Sequence, residues 1–135
     1  MTERRVANLR AGQRVRAALG VKYLADDCQE LPSVEAVEFL FDGGPSILLS
    51  CGTDWTLEVA EGRWPALPEW CWPIEAWTFE KVEEIGSPDL DVIISTSDIL
   101  NAVGEICGVL LEFPAAWVTI RSGKALTWEI SRRES

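Results

Sequence analysis

The sequence predicts an α+β, mainly β fold: two similar antiparallel three-strand meanders, a Trp- and Pro-rich connector and a short N-terminal helix. Three observations carry that expectation. Residues 34–61 hold three apolar, β-prone runs parted by turn residues. Residues 34–59 resemble residues 106–130 once one position is deleted at the Asp42-Gly43-Gly44 turn. Between them, residues 63–77 gather four of the seven Trp and three of the seven Pro. At 135 residues and 47% hydrophobic, residues 1–135 make one domain, able to bury a core without disulfide or metal staples.

In chain order, Val6 and Leu9 lie three apart among arginines, the spacing of a short amphipathic helix over residues 3–10. Residues 13–24 alternate at Val15, Ala17 and Leu19, which favours a strand. Gly43 and Gly44 sit between two apolar runs as hairpin-turn residues, and Gly52 to Asp54 form the next turn before a strand beginning at Trp55. Pro65, Pro68 and Pro73 exclude a long helix or central strand, so residues 63–77 of the connector, residues 62–96, are expected as a folded loop with at most a single turn, pinned by its aromatics.

The self-similarity pairs Val37 with Val109, Phe41 with Phe113, Gly52 with Gly123, Thr56 with Thr127 and Glu58 with Glu129. It divides the chain into halves of about residues 13–61 and 97–131, and extends upstream to align Ala18-Leu19-Gly20 with Ala102-Val103-Gly104. Residues 97–106 read two ways. The repeat favours a strand, whereas Ser97 as a cap with Ile99, Val103 and Ile106 on one face favours a helix.

Composition removes several chemistries. With no His, a Ser-His-Asp triad, a Cys-His pair and a His-ligated metal are unavailable, and no enzymatic activity is expected. Cys28, Cys51, Cys71 and Cys107 lack the close pairs of a zinc site and read as free thiols. Asp89-Leu90-Asp91 lacks the later ligands of a calcium loop, and no glycine-rich phosphate cradle occurs, so no cofactor or metal is expected. No stretch reaches the ~20 apolar residues of a membrane span. The first residues lack a signal-peptide pattern, and the expected location is the cytoplasm.

Charge is unevenly spread. The chain carries −10 overall: +5 over residues 1–25, −17 over residues 26–112 and +2 over the remainder. This balance disfavours nucleic acid and favours association with a basic partner. An acidic, His-free, single-domain, β-rich chain resembles the small immunity proteins that bacteria pair with polymorphic toxins. The resemblance implies inhibition by occlusion, acidic side chains covering the Lys and Arg of a toxin or nuclease. The candidate partner-binding residues are Glu75, Glu80, Glu83, Glu84, Asp89 and Asp91, with Trp70, Trp72 and Trp77 as anchors. Two other classes remain open: a structural or homodimeric subunit paired through an open sheet edge, and a small-ligand binder with a Trp-lined pocket.

Overall fold

A computed structural model describes residues 9, 12–23, 33–52, 54–83, 85–86, 90–123 and 125–132. Ten strands follow in order: β1 Val15–Tyr23, β2 Ser33–Val34, β3 Ala36–Phe41, β4 Ile47–Cys51, β5 Leu57–Glu61, β6 Trp77–Lys81, β7 Ser95–Leu100, β8 Ile106–Glu112, β9 Ala116–Arg121 and β10 Leu126–Arg132. They form two antiparallel five-stranded sheets: sheet I in the order β5-β4-β3-β1-β6 and sheet II in the order β2-β10-β9-β8-β7.

The α+β expectation is thereby corrected to an almost all-β architecture. Among the described residues the only helical element is the three-residue 3-10 turn Ile74–Ala76. The helix expected over residues 3–10 falls outside the described residues, apart from Leu9, which is buried without regular structure.

The two sheets close on one core. Val15 and Ala18 of β1, Val37 and Phe39 of β3 and Leu49 of β4 meet Val109 and Leu111 of β8, Val118 and Ile120 of β9 and Leu126 of β10. In β3, β8 and β9 these are alternate residues, the period-2 pattern of a half-buried sheet, while in β1 a register shift between Val15 and Ala17 lets Val15 and Ala18, three apart, share the inner face. Sheet I differs in having a second apolar face. Ala36, Val37, Glu38 and Phe39 are all buried, so β3 is covered on both sides.

The repeat has a structural counterpart and a limit. Without β2 and β6, the sheets reduce to β5-β4-β3-β1 and β10-β9-β8-β7, four strands of matching order rather than three. Val37 faces Leu49 as Val109 faces Ile120. Leu49 faces Val59, whereas Ile120 faces Trp128, a slip of two that keeps each side chain on its face. The upstream alignment fails, because Gly20 pairs with Val37 inside β1 while Ala102, Val103 and Gly104 form the turn between β7 and β8. Residues 95–100 are a strand, since pairing with β8 overrides the local helical spacing.

Within the connector Trp77–Lys81 form β6, which pairs with β1 from Leu19 opposite Lys81 to Tyr23 opposite Trp77. At the β4–β5 turn Trp55 adopts a positive φ of 67°. The Ser122 hydroxyl lies between two carbonyls, 2.5 Å from that of Trp55 and 2.9 Å from that of Cys107, bringing the two sheets together at this end.

Phe39 lies fully buried at the centre of the core, with its ring 6.4 Å from that of Phe41. Phe39→Ala is expected to lower stability by about 3–5 kcal/mol, read by urea unfolding. A loss below ~1 kcal/mol would contradict the shared core.

Candidate binding surface

The outer face of sheet I presents Val21, Ala36 and Leu48, and water cannot be left against such a patch at small cost. Residues 62–76 fold back over it. Cys71 and Leu67 plug the patch, and Trp77 and Phe79 of β6 flank it. The segment crosses in tight turns, with Ala66 N–H donating to Arg63, Cys71 N–H to Pro68 and Ala76 N–H to Pro73. The Trp64-Pro65 and Trp72-Pro73 peptide bonds are cis.

One carboxylate fastens this cover. Glu38, fully buried, faces outward from β3 between Leu19 and Leu48, and its Oε2 accepts the Trp64 N–H at 2.8 Å and the Ser46 hydroxyl at 2.5 Å. Its Oε1 has no hydrogen-bond partner. The fit leaves no room for a side chain at Gly62, where a Cβ would lie 2.2 Å from Glu38 Oε2.

Pinned in this way, the connector holds its indoles outward. Trp72 is 81% exposed, and Trp64 and Trp70 are each 47% exposed. Trp70 stands edge-on to Trp77 at 5.4 Å, and Trp77 packs against Tyr23 at 5.0 Å, so the exposed ring rests on a fixed aromatic base. Trp70 also separates two clefts. One, about 310 Å³, is lined by Leu48, Glu61, Arg63 and Glu69 among others; the second, about 230 Å³, by Glu35, Ser50, Cys51 and Glu58.

The nine residues singled out from the sequence do not form one surface. Trp70, Trp72 and Glu75 lie on the connector, and Trp77 is half-buried beneath it. Glu80 alternates to the opposite face of β6 and binds Lys22 at 2.9 Å. Asp91 is bound by Arg14 at 2.7 Å, beside the bridge between Arg14 and Val92. Glu83 is exposed beyond β6, while Glu84 and Asp89 fall outside the described residues. The carboxylates that line the clefts beside Trp70 are Glu35, Glu58, Glu61 and Glu69, with Glu69 held by Arg63 at 3.1 Å. Alternation in residues 57–61 already turns Glu58 away from the core; what the sequence hides is the path of the connector back across β4 and β5.

Cys51, Cys71 and Cys107 are free thiols. Burial pushes the Cys71 thiol up to about 11, and the Glu35 carboxylate adds to the shift. Cys51 is raised in the same way, by burial and by Glu35 and Glu58, against a lowering hydrogen bond from the Gly123 backbone. Among the described residues no cluster of three His, Cys, Asp or Glu side chains could hold a metal ion, and no helix is long and apolar enough to cross a membrane. No protein-family model, curated protein or solved structure matches the chain.

Two outcomes follow from this geometry. Gly62→Ala should displace Glu38 from the Trp64 N–H and reduce the near-ultraviolet circular dichroism of the indoles while the far-ultraviolet β signal persists; an unchanged aromatic spectrum would refute the latch. The Cys71 thiol should contribute stability that is complete below pH 9.0, its ordinary value, and is lost as pH rises towards about 11. Urea unfolding across that range should show a steeper decline for the native protein than for Cys71→Ala.

Proposed function

We propose that this protein is a non-catalytic binding module whose connector face docks a basic protein. The carrying observation is three indoles held partly in water on a loop that is itself fastened down, with carboxylates lining the clefts beside one of them, Trp70. Exposed Trp costs solvation unless something covers it, and Trp is enriched among the residues that carry interface binding energy. The surrounding Glu side chains select a partner rich in Lys and Arg and speed its approach. An inhibitor that occludes the basic surface of a toxin or nuclease, acting in the cytoplasm as an immunity protein does, fits this face.

Affinity capture from the native cells at low ionic strength, followed by mass spectrometry, is the direct test. A stoichiometric basic protein should be retained and then released by added salt. Trp72→Ala should weaken it by about 30-fold or more without changing the melting temperature, because the ring is mostly in solvent. Glu58→Lys combined with Glu61→Lys should slow association. A captured protein indifferent to salt and to all of these substitutions would overturn the assignment.

A further inference from the structure

Of the two clefts beside Trp70, one already holds a guanidinium. Arg63 lines it together with Glu61 and Trp70, and reaches Glu69 at 3.1 Å. The other has walls of the same kinds without the cation: it is lined by Glu35, Ser50, Cys51, Glu58 and Trp70, and none of these is Lys or Arg. The strands place these groups. Ala36, Ser50 and Glu58 stand opposite one another across β3, β4 and β5, on the outer face of sheet I. Glu35 immediately precedes Ala36, with its N–H fixed to the Val21 carbonyl. The Glu58 carboxylate rests against Gly52, where a Cβ would lie 2.9 Å from its Oε2. The Cys51 thiol in the same wall is held up first by burial and then by the charges of both Glu35 and Glu58, so the two carboxylates act on one space. At about 230 Å³ the cleft falls below the roughly 300–1,000 Å³ of small-molecule pockets and suits one side-chain head.

We propose that this cleft receives an arginine side chain of the basic partner, its guanidinium lying against the Trp70 indole and bonded to the Glu35 and Glu58 carboxylates. The site rests on the reading of the connector face as a dock for a basic protein, and adds the residue type that the dock selects. Shape favours guanidinium over ammonium. A guanidinium is planar and weakly hydrated, so it stacks on an indole while its fixed fork of N–H donors reaches carboxylate oxygens. A lysine ammonium is a compact, strongly hydrated point charge that gains less from the ring. The Ser50 hydroxyl, opposite Glu58, offers an acceptor for a further N–H.

The test titrates the full chain with Nα-acetyl-argininamide at millimolar concentration and follows the indole N–H resonances by NMR. Nα-acetyl-citrullinamide, its uncharged near-isostere, and Nα-acetyl-lysinamide are the comparisons. The Trp70 resonance, identified by its loss in Trp70→Leu, should follow a binding curve with the arginine compound, about threefold or more tighter than with the lysine compound. The citrulline compound should leave it in place. Glu58→Gln, at an exposed position, should weaken arginine binding about threefold or more with an unchanged melting temperature. Arg63→Gln, in the neighbouring cleft, should not weaken it.

No shift of the Trp70 resonance, an equal response to the lysine or citrulline compound, or full affinity in Glu58→Gln would overturn the guanidinium site. Its failure and that of the basic-partner reading are separable. A salt-released basic protein captured equally well by the native chain and by Glu58→Gln combined with Trp70→Leu overturns the arginine site and leaves the basic partner standing. Arginine binding in the cleft with no basic protein captured supports the site and counts against that partner.

Discussion

Sheet I has two apolar faces, and the rest of the molecule is arranged to cover them. Sheet II takes the inner face, where Phe39 and Leu49 meet Val109 and Ile120. The outer face, with Val21, Ala36 and Leu48, falls to the segment that joins the two halves of the chain. That segment cannot wander, because its prolines and the plug formed by Leu67 and Cys71 commit it to one path. A polar side chain in the middle of an apolar patch would ordinarily be a fault. Glu38 is instead the point at which the cover is hydrogen-bonded to the sheet, so an oxygen that would cost stability alone becomes the reference point for the indoles above it.

The fold was legible where side-chain alternation is local. The Gly43-Gly44 turn, with φ of 86° and 79°, sits where Gly is needed between two apolar runs, and the match of Val37 and Phe41 to Val109 and Phe113 marks equivalent strands of the two sheets. Partnerships between distant segments were not legible. Nothing in Trp77–Lys81 announces that it pairs with β1, and Ile99, Val103 and Ile106 keep a helical spacing although a strand and a turn separate them. In both places tertiary pairing outweighs local preference.

The structure keeps the aromatic residues singled out from the sequence on one segment and disperses the charged ones, for a physical reason. Prolines force the Trp-bearing stretch out of regular structure, so some of its indoles must remain near water. Carboxylates adjacent in sequence need not share a surface. β1 brings Lys22 to Glu80 on β6, and Arg14, just before β1, engages Asp91. The positive block at the start of the chain and the acidic block that follows are therefore partly each other's counterions. The negative charge beside Trp70 comes from other places, Glu35 before β3 and Glu58 and Glu61 on β5.

The short strand β2 ties the two sheets together in a way their similar halves conceal. Val34 pairs with Leu126 in sheet II, and after Glu35 alone the chain enters β3 at Ala36, at the centre of sheet I. A single residue thus crosses from one layer to the other, and its N–H is bonded to the Val21 carbonyl. Because the final strand is held by a partner from the first third of the chain, neither sheet completes its hydrogen bonding until both are assembled. Long loops must close before these pairings form, which favours slow, all-or-none folding over stepwise assembly of two modules. In the native protein, deep backbone amides of both sheets would then exchange with solvent through one shared global opening, leaving the two similar halves indistinguishable in protection.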